Sequence, residues 1–152
     1  SHNGIDLKAP VGTPAYALFD GEIVGPYVTG QPNRIGRIGK VYPDGYSGDN
    51  NDAGNRIYIK SKVFGGTITV GYFHLQAGNA VAKVNGKVLR PGDKVYAGQI
   101  VAYTGLTGNA NAYNKPHLHI GIKSSDGKWI DPKPYFSATI STNTTVIKTK
   151  CE

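Results

Sequence analysis

Apolar and polar residues alternate along several short stretches of this chain, and turn-forming residues separate those stretches. The alternation is clearest in NRIYIKS (55–61), GTITVGYFHL (66–75) and HLHIGIK (117–123). Because the side chains of a β-strand point alternately to the two faces of a sheet, this pattern predicts strands with one buried face. The chain shows no long stretch with a helical period. We therefore predict an all-β fold built from antiparallel sheets.

Glycine-containing pairs mark the turns between these strands. Asp20-Gly21 and Asn85-Gly86 are typical of β-hairpins. Further turns are predicted at Pro91-Gly92, Ala97-Gly98 and Asp126-Gly127. Residues 26–55 are rich in Gly, Asn, Asp and Pro and predict a long loop, which in a compact domain is more often functional than idle. The Ser/Thr-rich tail, 137–152, fits a last edge strand or a linker equally well.

Composition agrees with one turn-rich β domain. The chain has 152 residues, 39% of them hydrophobic, with 21 Gly, 9 Pro, 10 Tyr and no Met. Its single cysteine, Cys151, cannot form an intrachain disulfide. No stretch is apolar enough to span a bilayer. The chain begins at Ser1 without a methionine, which suggests a processed protein or an excised domain, so a missing signal peptide does not argue for the cytoplasm.

The formal net charge of +7 favours an anionic partner but does not choose one. Nucleic acid, an anionic membrane surface and an anionic cell-wall polymer fit that sign equally well. Scattered basic residues also keep a protein soluble without any specific partner. Charge alone therefore leaves the function open.

The histidines are more informative, because the chain has only four and two of them occupy one strand. His117 and His119 share a face of the predicted strand, while Leu118, Ile120 and Ile122 share the apolar face. The strand rise places the two Cβ atoms about 6–7 Å apart. One imidazole could bind a metal while the other reaches a molecule bound to that metal. A lone strand histidine, in contrast, is usually a surface or satisfied core residue.

The other two histidines lie at a strand end and at the start of the chain. His74 ends GTITVGYFHL on the face of Tyr72. His2 and Asp6 have helical spacing, but Gly4 and the prolines and glycines that follow argue against a helix, and a tight loop could bring the pair together. Two histidines and one carboxylate form a zinc site that leaves one position for water. A structural zinc site is disfavoured because the cysteines that usually close one are missing.

Three motifs in order resemble the lysostaphin-type (LytM-like) zinc metallopeptidases: H-x-x-x-D at 2–6, Y-x-H-L at 72–75 and H-x-H at 117–119. The supporting stretches are HNGIDLKAPVGTPAYALFDGEIV, GNRIYI, RPGDKVYAGQIVAYTGLTG and PHLHIGI. The resemblance covers roughly residues 2–122. It implies a duplicated hybrid motif-like fold, in which antiparallel sheets form a narrow groove and long loops form its walls.

The resemblance also implies a role for each histidine. One Zn²⁺ per chain would be held by His2, Asp6 and His119, with His117 and His74 as catalytic residues. We assign the general base to His117 and oxyanion stabilisation to His74, although these two roles could be exchanged. Segments 26–55, 77–80 and 104–115 are the candidate groove walls, and the candidate groove contacts are Tyr46, Asn55, Tyr72 and Tyr113. GDNNDAGN (48–55) vaguely suggests a calcium site but lacks a full ligand pattern.

The implied function is zinc-dependent hydrolysis of peptide bonds in peptidoglycan cross-bridges or stem peptides by residues 1–136. We expect a monomer located outside the cell or in the periplasm, or delivered by a phage or effector system, with peptidoglycan peptide and an anionic wall polymer as partners and no nucleic acid. The main alternative is a non-catalytic member of the same fold that binds or activates at the cell wall. A lipoyl-like carrier is disfavoured because this chain has no lysine centred in a suitable hairpin tip, and a nucleic-acid binder would leave the histidines unexplained.

Overall fold

The computed structural model describes residues 4–25, 27–28, 31–35, 53–76, 83–84, 86–108, 110 and 115–136. The main sheet in these ranges consists of β1 (Ile5–Lys8), β3 (Gly21–Gly25), β6 (Asn55–Val63), β7 (Gly66–Leu75), β10 (Lys94–Val95), β12 (His117–Lys123) and β13 (Trp129–Ile130). Smaller pairs are formed by β2 (Pro14–Tyr16) with β11 (Ile100–Tyr103), β4 (Tyr27–Val28) with β5 (Gln31–Ile35), and β8 (Lys83–Val84) with β9 (Lys87–Val88). A 3-10 turn spans Lys133–Tyr135.

The main sheet is antiparallel and has the order β1-β12-β7-β6-β3-β10, with β13 also beside β12. This order places the strand nearest the amino terminus directly against β12. Asp6 pairs with His119, and His119 pairs on its other side with Phe73 of β7. Residues far apart in the sequence therefore meet across three adjacent strands.

The core lies against one face of this sheet. Its members from the central strands are Leu118, Ile120 and Ile122 of β12, Ile68, Val70 and Tyr72 of β7, and Ile57 and Ile59 of β6. Ala15, Val101 and Ala102 from the β2–β11 pair belong to the same apolar cluster. The opposite face carries Asp6, His117, His119, Phe73, Tyr58 and Lys123, and we refer to it as the outer face.

The strand pattern confirms the predicted all-β fold and most of its turns. β7 spans the ten residues of GTITVGYFHL, and Asn85-Gly86 joins β8 to β9. Gly86, Gly92, Gly98 and Gly127 all have positive φ, as turn glycines often do. The Asp20-Gly21 hairpin prediction is wrong, because β2 pairs with β11 while β3 pairs with β6 and β10. A local turn signal does not reveal that the chain changes sheets at that point.

The long segment 26–55 is not a plain loop, since it contains the β4–β5 pair and the first residue of β6. Most of this segment and the tail 137–152 lie outside the described residues.

Candidate active site

Asp6 and His119 meet on the outer face because β1 and β12 pair in that register. The Nδ1 atom of His119 lies 2.6 Å from Oδ1 of Asp6. The His119 side chain is 19% exposed and that of Asp6 is 42% exposed. A carboxylate oxygen and an imidazole nitrogen thus point to one place at the surface.

His117 lies beside this pair, two residues before His119 on the same strand face. Its Nε2 atom is 3.8 Å from Oδ1 of Asp6. Its Nδ1 atom is 2.7 Å from the carbonyl oxygen of Lys115. Because a carbonyl only accepts hydrogen bonds, Nδ1 carries the proton and the neutral ring has its lone pair on Nε2, towards Asp6.

His74 reaches the same cluster through a β-bulge. The β6–β7 register shifts between Asn55 and Ile57, so that β7 has one extra residue there, and His74 has a φ of 58°. Simple alternation would place His74 on the same face as Tyr72, as expected from the sequence, and that face is the core face. Instead its ring centroid lies 4.6 Å from that of His117 and 6.4 Å from that of His119. Left-handed backbone at a non-glycine residue is strained and is concentrated at functional sites.

Thr107 holds His74 in this position, and it is the site residue that the sequence did not identify. The Nδ1 atom of His74 lies 2.9 Å from the carbonyl oxygen of Thr107 and donates to it. The hydroxyl of Thr107 donates to the carbonyl of Leu75 and accepts from the backbone N–H of Asn55. It therefore ties together the two strands that flank the bulge. The only signal for it was its membership of the predicted 104–115 wall.

Burial determines the charge of His74. Only 5% of the surface of His74 is exposed to solvent. Desolvation, partly opposed by the hydrogen bond to Thr107, lowers the pKa of His74 to about 4. The ring is therefore neutral near pH 7, with Nδ1–H donating and Nε2 unprotonated.

Two of the predicted groove contacts, Asn55 and Tyr72, have buried side chains within the described residues. Tyr72 is 1% exposed, its hydroxyl accepts from the backbone N–H of Leu18, and burial raises its pKa. Asn55 is 0% exposed and its side-chain amide donates to the carbonyl of Gln76. Tyr46 and Tyr113 lie outside the described residues, as does the predicted metal ligand His2.

The described residues supply part of a metal site. They contain no group of three His, Cys, Asp or Glu side chains arranged to hold an ion, since the third predicted ligand is His2. The two donors present are of the types that zinc prefers, and zinc bonds to N and O are about 2.0–2.2 Å long. Donor atoms 2.6 Å apart, like those of His119 and Asp6, can therefore contact one ion after a small separation. The residues present fit a zinc ion.

Known proteins resemble this chain in both sequence and fold. Residues 1–132 match the sequence model of peptidase family M23. The glycyl-glycine endopeptidase ALE-1 of Staphylococcus capitis is 33% identical over 151 residues, which are 95% of this chain and 32% of ALE-1. The solution structure of lysostaphin matches with a TM-score of 0.54 and 28% identity, over 88% of this chain and 42% of that chain.

The chain spans about a third of ALE-1 and less than half of the lysostaphin chain. None of the helices in the described ranges has the length and apolar character needed to cross a membrane. The family match covers most of the sequence, and the resemblance seen in the three histidine motifs is confirmed. This chain therefore belongs to peptidase family M23, the lysostaphin-type peptidases.

Proposed function

We propose that this domain is a zinc endopeptidase that hydrolyses peptide bonds of peptidoglycan. The observation that carries the proposal is the convergence of Asp6, His74, His117 and His119 from three strands onto one place on the outer face. The family and its glycyl-glycine endopeptidase member support the reaction class. The site residues are our assignment.

The metal would be held by Asp6 and His119, together with His2. A bound zinc ion lowers the pKa of water to about 7 and polarises a carbonyl group. Both donors must be deprotonated at the atoms that face the ion. Gly4 helps to direct His119, because its backbone lies against the Cε1–Nε2 edge of that ring and leaves Nδ1 for Asp6 and the ion.

His117 is our general base. The Lys115 carbonyl fixes the proton on Nδ1, so the Nε2 lone pair faces the place where Asp6 and His119 converge. This atom can take a proton from the attacking water and return it to the leaving amine. Its exposure of 21% lets substrate reach it.

His74 has the same tautomer, which bears on its role. With Nδ1–H committed to Thr107, the neutral ring can only accept at Nε2. It therefore fits a role in orienting the attacking water, and it can stabilise an oxyanion by donation only after it gains a proton. We assign water orientation to His74 and proton transfer to His117.

The substrate and location follow from the proposed reaction. Peptidoglycan lies outside the cytoplasmic membrane, so the domain would act there, as a monomer, and its +7 charge would favour the approach to an anionic wall. The glycyl-glycine specificity named for ALE-1 makes oligoglycine the first substrate to test. A non-catalytic wall-binding domain is the alternative function, but Asp6, His74, His117 and His119 are all present at the site.

The test is mass spectrometry of sacculi and pentaglycine peptides after incubation with zinc-loaded protein. We expect new amino termini from the wild type, and a loss of turnover of at least a hundredfold in His117→Ala with zinc content unchanged. A zinc-loaded protein that cleaves neither substrate would contradict the proposal and favour the non-catalytic alternative. Cleavage by His117→Ala at the wild-type rate would remove His117 from the mechanism.

A further inference from the structure

The outer face continues beyond the histidines as a row of aromatic rings. The ring of Phe73 lies 5.3 Å from that of His119, measured between centroids. The ring centroids of Tyr58 on β6 and Trp129 on β13 are each 5.9 Å from that of Phe73. A side chain at Gly71 would lie within 2.9 Å of the Phe73 and Tyr58 rings, so this glycine lets the rings lie close to the sheet. Phe73 itself is only 4% exposed and its ring is steeply inclined to its neighbours, so the half-buried rings of Tyr58 and Trp129 are the ones that present aromatic surface here.

Lys123 ends this row with a positive charge. Its Nζ atom lies 4.6 Å from the centroid of the Trp129 ring and 5.5 Å from that of Tyr58. These cation–π contacts hold the ammonium group in one place but leave its three N–H donors available. Lys123 is partly buried, whereas a lysine with no function usually extends into solvent.

Partial burial distinguishes Lys123 from Lys8, Lys60 and Lys62, three exposed lysines of the same sheet that also have no ion pair in the described ranges. Two other lysines have carboxylate partners. Lys94 is paired with Glu22 at 2.8 Å, and Lys128 with Asp126 at 3.6 Å. Within the described ranges, no carboxylate lies within ion-pairing distance of Lys123. A partly desolvated cation whose donors are unused is suited to an anionic group from outside the chain.

The spacing fits an extended peptide. His119 and Lys123 are four residues apart on β12, which is about 13 Å along a strand. An extended peptide with its scissile bond at the histidines would bring a side group three or four residues away over Trp129 and Lys123. The partly exposed rings of Tyr58 and Trp129 can contact the backbone of such a peptide even where it has no side chains.

We propose that Lys123, held by Trp129 and Tyr58, forms a subsite for a carboxylate of the substrate peptide, three or four residues from the scissile bond. This inference rests on the proposed function for the position of the peptide, but its test does not require turnover. It makes Lys123 a specificity-determining residue rather than a catalytic one.

Trp129 provides a local reporter, because it is the only tryptophan in the chain. The full chain is freed of metal with a chelator and titrated with two pairs of peptides. The first pair is acetyl-pentaglycyl-glutamate amide and its glutamine counterpart. In the second pair, the glutamate or glutamine precedes the five glycines. Tryptophan fluorescence reports binding. We expect one of the glutamate peptides to bind about tenfold more tightly than its glutamine partner, as for a charge-assisted hydrogen bond.

Three variants decide whether Lys123 causes that preference. Lys123→Gln should reduce the preference below about twofold, and Lys123→Arg should retain most of it, because guanidinium also stacks on aromatic rings. Lys128→Gln, five residues further along the chain, is the matched control and should keep the full preference. Equal binding of both peptides by the wild type, or an undiminished preference in Lys123→Gln, would overturn the inference.

Three further outcomes separate this inference from the proposed reaction and from another ligand. If zinc-loaded protein cleaves the glutamate and glutamine peptides with the same kcat/KM and Lys123→Gln changes neither, the proposed function stands and the subsite does not. If the binding preference depends on Lys123 but no peptide is cleaved, the subsite stands and the endopeptidase assignment fails. Tighter Lys123-dependent binding of a glycerol phosphate polymer than of either peptide would overturn the peptide carboxylate as the ligand.

Discussion

At residue 4 the absence of a side chain decides where the His119 ring can lie. A Cβ atom on Gly4 would be 2.5 Å from Cε1 and Nε2 of His119 and 2.7 Å from the carbonyl oxygen of Ile120. These distances are shorter than any normal contact, so either the imidazole or β1 must move. Because His119 Nδ1 and Asp6 Oδ1 would have to share one ion, either movement spoils the donor pair.

We therefore predict that Gly4→Ala weakens zinc binding about tenfold to a hundredfold, the usual effect of disturbing a group that positions a ligand. Zinc competition with a chromogenic chelator measures the affinity. Gly66→Ala is the control, because an added Cβ there meets nothing nearer than the Val63 carbonyl oxygen at 3.9 Å. Equal zinc affinity in wild type and Gly4→Ala would show that the ring is not directed by this contact.

The burial of His74 should also be visible as a pH-dependent stability. The pKa of His74 is lowered from 6.5 to about 4 in the folded chain, so between these values the unfolded chain binds more protons. The contribution of neutral His74 to the free energy of unfolding is therefore fully present above pH 6.5, and it is lost as the pH falls towards 4. The loss between pH 7.5 and pH 4.5 is about 2–3 kcal/mol in the free energy of unfolding.

Urea unfolding of metal-free wild type and His74→Asn at both pH values tests this. Asparagine suits the left-handed backbone of residue 74 but does not titrate in this range. Between the two pH values, the decrease in the free energy of unfolding should be about 2–3 kcal/mol smaller in His74→Asn than in the wild type. Identical losses would mean that His74 is not the group that titrates.

Some contacts of single residues leave no local pattern in the sequence. The alternation of HLHIGIK was enough to separate the site face from the core face of β12. Alternation alone misplaces His74, because it assigns this residue to the core side and only the bulge turns it outward. Strand membership alone does not say which polar side chains find buried partners, as those of Asn55 and Tyr72 do.

At the scale of elements, the bulged end of β7 depends on the segment 104–108. The backbone N–H of Gly105 donates to the carbonyl of His74, and the backbone N–H of His74 donates to the carbonyl of Ala53. The Thr107 hydroxyl adds bonds to Leu75 and Asn55 on both strands. One buried hydroxyl thus joins three segments at the point where the backbone is strained.

Replacing Thr107 by valine keeps its shape and removes these two hydrogen bonds. We expect Thr107→Val to lower the free energy of unfolding by about 2–4 kcal/mol, because two buried backbone groups lose a partner. Thr107→Ser retains the hydroxyl and should cost only about 1 kcal/mol for the lost methyl group. Thermal unfolding of both variants measures the difference, and equal destabilisation would show that packing of the methyl, not the hydroxyl, matters here.

Elements whose partners are nearby in the sequence were predicted well, and those with distant partners were not. The β8–β9 hairpin follows from Asn85-Gly86 because a two-residue turn fixes its own strands. Asp20-Gly21 carries the same signal, but β2 finds its partner in β11, more than eighty residues later. Turn residues indicate that the chain bends, and they do not specify which strand the next element joins.

At the scale of the whole molecule, the candidate metal site joins the beginning of the domain to its last long strand. Asp6 and His119 are 113 residues apart in the sequence and lie on neighbouring strands. A ligand that binds only the folded chain stabilises it by mass action, by about 2.7 kcal/mol at a hundred times its dissociation constant. For a domain of about 150 residues this corresponds to a rise in Tm of roughly 5–10 °C.

We predict that zinc raises the Tm of the chelator-treated wild type by this amount and that Asp6→Asn abolishes most of the rise. The change removes the carboxylate charge while keeping the size of the side chain, so metal-free Asp6→Asn should unfold within a few degrees of the metal-free wild type. His117→Ala is the matched control on the same face, and it should keep the full zinc-dependent rise because His117 is assigned to proton transfer. Differential scanning calorimetry with and without zinc measures all three proteins. A rise in Tm in Asp6→Asn equal to that of the wild type would mean that Asp6 does not bind the ion. Loss of the rise in His117→Ala alone would mean that His117, and not Asp6, is the metal ligand.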